Sequence, residues 1–120
     1  MVGCRIPFGL NVLSVHKGEV VIVPNLSVFY TGSSLLIDLT FSELMDNTIM
    51  PDNAVWQCDS NLGLLPIFDQ QWQSASILRV VVGPIGPSPA WVAFSLLNSS
   101  SGLAIADGTQ VAAFGPITFP

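Results

Sequence analysis

The 120-residue sequence predicts an all-β fold, a single-domain antiparallel β-sandwich or jelly roll of about eight short strands. Three observations point there. Residues 35–41 alternate with period two, with Leu35, Ile37, Leu39 and Phe41 on one face and Asp38, Thr40 and Ser42 on the other. Leu36 is the exception. This is the pattern of a strand with one buried face. Residues 90–114 are almost free of charge and apolar on both faces, and residues 76–82 are dense in β-branched side chains. Turn signals recur about every 8–12 residues, and nowhere does an amphipathic helical period persist. Residues 1–120 therefore read as one domain, long enough to bury a core without staples.

The elements follow in chain order. Residues 2–6 form a short apolar stretch closed by Pro7 and Gly9. Residues 11–16 and 19–23 flank Lys17-Gly18 as a candidate hairpin, and Pro24-Asn25 breaks the second strand. A strand is expected over 26–31, before Gly32, then the alternating strand 35–41, then one helical turn over 42–45. Residues 47–73 are polar and irregular, with two short strands expected around 55–58 and 64–68. Residues 76–82 are a strand interrupted only by Arg79. Residues 83–89 hold three prolines and two glycines, which favour a rigid crossover between sheets. Gly83-Pro84-Ile85 recurs as Gly115-Pro116-Ile117, which suggests two equivalent corners.

The stretch 90–114 organises the rest. It reads as strand 90–98, loop 99–102, strand 103–106, the turn Asp107-Gly108, and strand 109–114. Asp-Gly between apolar runs is a strong hairpin signal. A two-residue type I′ turn needs positive φ at both central positions.

Composition excludes several classes of function. Only 9% of residues are charged, and Arg5, Lys17 and Arg79 are the only cations. A net charge of −5 with no basic cluster leaves nothing to neutralise phosphates, so neither nucleic acid nor an anionic membrane is expected as partner. No apolar run approaches the ~20 residues of a membrane-spanning helix. Arg5 is followed by no apolar core with a cleavage site, so no signal peptide is expected. Cys4 and Cys58 are the only cysteines and read as buried thiols, although their spacing leaves a disulfide open.

The chemistry-bearing residues are few. His16 is the only histidine and sits beside a turn, which leaves no catalytic triad to assemble around a second base. Zinc would need a Cys/His cluster. Asp46, Asn47, Asp52, Asn53, Asp59 and Asn61 supply oxygens, but without the ordered spacing of a calcium loop. No enzyme activity, cofactor or resident metal is expected. The region 47–73 does carry lectin-like chemistry: Trp56, Trp72, Gln71, Gln73, Asp59 and Asn61 offer aromatic faces beside uncharged hydrogen-bonding groups. The competing reading is packing, with Trp56 and Trp91 in the core and Trp72 a partly buried anchor.

Low charge with high apolarity is the feature most in need of explanation. Surfaces packed permanently against other subunits are apolar and poor in Lys, Glu and Asp. The expected function is therefore structural: a homo-oligomeric virion component, such as a phage capsid-decorating protein, meeting other structural subunits in an assembled particle, or otherwise cytoplasmic. The alternative is a carbohydrate-binding module using 47–73.

Overall fold

The computed structural model describes residues 19–98 and 101–119. The expected strands over 2–6 and 11–16, the Lys17-Gly18 turn, Arg5, Cys4 and His16 lie outside the described residues.

Within them the chain is all-β, as expected, with no α-helix. The strands are β1 (Glu19–Val20), β2 (Asn25–Tyr30), β3 (Leu35–Thr40), β4 (Trp56–Ser60), β5 (Ile67–Trp72), β6 (Ile77–Val82), β7 (Val92–Leu96), β8 (Gln110–Val111) and β9 (Phe114–Phe119). One sheet has the order β2-β3-β6-β5 and a second the order β4-β7-β9, each antiparallel throughout. The short β1 and β8 pair in parallel. If β2 to β7 and β9 are lettered A to G, the sheets read A-B-E-D and C-F-G. That is the strand order of constant-type immunoglobulin sandwiches. It differs from the two Greek keys of a jelly roll. Such an architecture hosts many unrelated functions and assigns none by itself.

The period-two reading of β3 holds. Leu35, Ile37 and Leu39 are buried, and they lie opposite Val82, Val80 and Leu78 of β6. From the other sheet, Trp56 and Cys58 of β4 and Val92, Phe94 and Leu96 of β7 face them. The Trp56 and Phe94 rings stack with centroids 5.2 Å apart, so the indole on the third of these seven strands sits at the centre of the core. Each fully buried side chain of this kind contributes roughly 1.5–3 kcal/mol. The crossover expected over 83–89 also forms and extends to residue 91, carrying the chain from β6 in one sheet to β7 in the other; the strand expected from residue 90 begins at Val92.

Four local expectations are corrected. Residues 42–45 form no helical turn: Met45 is buried and bridges Ile105, because its thioether side chain fills the core under the 103–111 hairpin. The hairpin exists, but its loop has three residues. Gly108 N–H donates to Ile105 O at 2.9 Å and Ile105 N–H to Thr109 O at 3.0 Å. Only Gly108 has positive φ, +93°. Asp107 stays in the ordinary region because its carboxylate accepts from Thr109 N–H, an alternative the side chain offers locally. The expected strand 109–114 is divided between β8 and the start of β9. Finally, the 47–73 region is more regular than its polar composition suggests, with β4 and β5 both longer than expected.

The two Gly-Pro-Ile segments do share a backbone form. Both Gly-Pro bonds are cis and both glycines have positive φ. They are not equivalent corners, however, since Gly83 ends β6 while Gly115 and Pro116 lie within β9.

Candidate functional site

Register and burial together define the outer face of the four-stranded sheet. A polar row crosses it as Ser27, Asp38, Arg79 and Gln71 on successive strands. Arg79 Nε donates to Asp38 Oδ1 at 2.8 Å, and its Nη2 to Oδ2 at 3.1 Å, a two-pronged ion pair. The Asp38 hydrogen bond raises the guanidinium pKa further above its ordinary value. Arg79 is the only Lys or Arg among the described residues, and this geometry commits it to Asp38.

The adjacent row is apolar. Phe29, Leu36 and Val81 are cross-strand neighbours, and Asp69 ends the row. A bulge between Ile67 and Asp69 pushes Phe68 outward. Phe29 and Phe68 are 63% and 67% exposed. Beside them a shallow cleft of ≈ 340 Å³ is lined by Ser33, Ser34, Phe68, Val81, Gly83 and Pro84. Leu36, the residue that breaks the alternation of β3, belongs to this face. That break was the one sequence signal for it; the exposure of Phe68 depends on the bulge and left no local trace.

The six residues with lectin-like chemistry do not converge. Trp56 is buried, and its Nε1–H donates to Gln70 Oε1 at 2.8 Å. Trp72 is half-buried, with its Nε1–H donating to Ile49 O at 2.8 Å. Gln71 and Gln73 remain exposed at the far end of β5. Asp59 is half-buried, with Oδ1 accepting from Ser60 N–H. Asn61 begins the connection from β4 in one sheet to β5 in the other, its Oδ1 accepting from Ala90 N–H at 2.7 Å. Trp91, read as core, is instead 39% exposed, since it precedes β7 and escapes the inward alternation of Val92 and Phe94.

Much of the 47–73 patch is a structural latch. Gln70 is buried, and its Nε2 donates to Pro51 O at 2.6 Å and Asn53 Oδ1 at 2.8 Å. Asn53 Nδ2 donates to Phe68 O at 3.3 Å. With the Trp72 bond to Ile49, these contacts fasten residues 49–53 along β5 at every second residue. Two further acids serve their own turns: Asp52 caps the 3-10 turn Asn53–Val55, and Asp46 Oδ1 accepts from Thr48 N–H. Among the described residues no three carboxylate, thiol or imidazole groups gather as metal ligands do. No helix there is long and apolar enough to cross a membrane. Cys58 is a buried free thiol, its pKa pushed up to about 12 by desolvation and, secondarily, by Asp59.

No family model matches the chain, and no curated protein is significantly similar to it.

Proposed function

We propose that this protein is a non-enzymatic assembly module, a small virion component such as a phage capsid-decorating protein, that works by covering the outer face of its four-stranded sheet with another subunit. One observation carries the reading: the apolar row Phe29–Leu36–Val81, with Phe68 beside it, on a sheet face open to solvent. An antiparallel sheet that keeps one face in water normally makes that face polar. Contiguous exposed apolar surface rimmed by polar groups marks an interaction site. The Asp38–Arg79 pair cancels its own charge on this face, which lowers the cost of covering it. The placement in a virion rests on the charge-poor composition and small β architecture.

Light scattering after size exclusion, over a concentration series, tests this reading. The intact chain is expected to associate, and Phe68→Ser with Val81→Ser to weaken that association while leaving the melting temperature nearly unchanged. Association indifferent to both substitutions would overturn the role of this face.

A carbohydrate-binding reading retains one supporting observation: the Gln71 and Gln73 amides stay exposed next to each other, Gln73 Nε2 donating to Gln71 Oε1 at 3.4 Å. Glycan binding lost on Gln71→Ala would favour it over assembly.

A further inference from the structure

We propose that the edge of β2, unpaired among the described residues, is the seam at which two copies of this chain join, by antiparallel pairing of β2 with its counterpart about a twofold axis at Val28. This rests on the assembly reading above and gives that assembly its geometry.

The two main sheets end in the edge strands β2, β5, β4 and β9. Unpaired edges invite further strands, and proteins blunt them with cover, charge, bulges or proline. Three of these edges are blunted. β5 carries the latch of residues 49–53 and a bulge. β4 is met by Leu65, whose N–H donates to Cys58 O at 2.8 Å. β9 contains Pro116, which has no donor to offer. β2 has none of these devices. It runs in unbroken register with β3, contains no proline or charge, and finds no backbone partner beyond β3 among the described residues.

The backbone directions make this edge self-complementary. The ladder with β3 opens with Thr31 N–H donating to Ser34 O at 2.8 Å. In antiparallel pairs, residues that bond to the neighbour alternate with residues whose groups point away. Asn25, Ser27 and Phe29 therefore bond to β3, and Leu26, Val28 and Tyr30 direct their backbone groups outward. That triad is symmetric about Val28. A second copy brings Leu26 opposite Tyr30 of the partner subunit and Val28 opposite Val28 of the partner subunit. These pairs make about six N–H···O bonds. On the outer face Phe29 then lies across from Ser27 of the partner subunit, so each apolar row meets the polar row of the other copy and the two Phe29 rings stand on a diagonal about 7–8 Å apart, within reach of one another.

Charge favours a second copy at this place. The chain carries eight acids against three cations, net −5, so most approaches of one copy to another are repulsive. Residues 20–37, which include β2 and its flanks, carry no charge at all. Edge pairing covers less than the about 800 Å² per partner of a standing interface, so the pairing depends on concentration.

Two measurements on the full chain test the seam. The first is the dimer Kd by sedimentation equilibrium. Ser27→Lys places a charge beside the axis on an exposed side chain, and Val28→Pro removes an outward donor without taking a bond from β3. Each is expected to weaken dimerisation about tenfold or more. The second is positional. Ser27 and Phe29 of the partner subunit form a pair not bonded to each other, with Cα atoms about 4.5 Å apart, which a disulfide spans. Ser27→Cys protein mixed with Phe29→Cys protein is expected to cross-link under mild oxidation far faster than either alone. Dimerisation unchanged by Ser27→Lys, or no preferential cross-link in the mixture, would overturn the seam. If Phe68→Ser weakens association while Ser27→Lys does not, the outer face stands and the β2 edge falls. The reverse pattern keeps the edge and removes the outer face.

Discussion

Trp56 and Gln70 meet across the two sheets, indole Nε1–H to amide Oε1 at 2.8 Å, both side chains buried. The same amide holds Pro51 O and Asn53 Oδ1 through its nitrogen. One glutamine thus ties the core tryptophan to the loop that covers the edge of β5.

Loss of that amide is expected to be costly. Gln70→Leu leaves the indole N–H and the Pro51 carbonyl without their partner, a penalty of about 1–3 kcal/mol in urea unfolding. Trp56→Phe keeps an aromatic ring and removes the donor. The double substitution is expected to cost less than the two single costs added together, with a coupling of about 1 kcal/mol. Strict additivity would mean the bond contributes nothing.

The glycines separate close approach from backbone conformation alone. A Cβ at Gly115 would lie 2.7 Å from Phe94 O and 2.8 Å from Ser95 Cα, at φ +103°. A Cβ at Gly108 would meet nothing within 4 Å, at φ +93°. Gly108→Ala is expected to cost about 1–2 kcal/mol, from the left-handed backbone only. Gly115→Ala is expected to cost about 3 kcal/mol or more, since overpacking against fixed backbone adds to it. Equal melting temperatures for the two variants would contradict this account.

Cys58 is expected to resist alkylation in the folded protein. Burial raises its pKa from the ordinary 9.0 to about 12, so at pH 8 the reactive thiolate is scarce as well as inaccessible. Labelling kinetics with and without urea check this. The same shift sets a sign for stability. The folded state holds the proton more tightly than the unfolded chain, so its contribution is complete below pH 9 and declines as pH rises toward 12. Cys58→Ala is expected to lose that alkaline slope and retain the rest of the profile.

Arg79→Gln is expected to change stability by less than about 1 kcal/mol, because the pair with Asp38 is partly solvated. Its effect should appear in association instead. An unpaired Asp38 on the outer face would make assembly weaker and more dependent on salt, measurable by sedimentation at two ionic strengths.

Several elements were legible in the sequence for identifiable reasons. The alternation of Leu35, Ile37 and Leu39 gave β3 its inner face, and the β-branched run gave β6, because a strand's period is local and exact in its consequences. The prolines and glycines of 83–89 marked the crossover for the same local reason. The tryptophans were not legible in this way. Trp56, Trp72 and Trp91 look alike in a sequence, yet one is core, one is half-buried against Ile49 and one is exposed.

The sequence by itself therefore determined that this chain forms strands, where most of them run, and which side of β3 is buried. The tertiary structure alone decided that Gln70 and Trp72 fasten a loop instead of presenting a binding patch, and that Phe68 joins Phe29 on an open face. Strand periodicity is written in neighbouring residues, whereas the partner of an uncharged amide or an aromatic ring is chosen by segments 14 to 23 positions away, as for Trp56 with Gln70 and Trp72 with Ile49, brought close only when the sheets pair and pack.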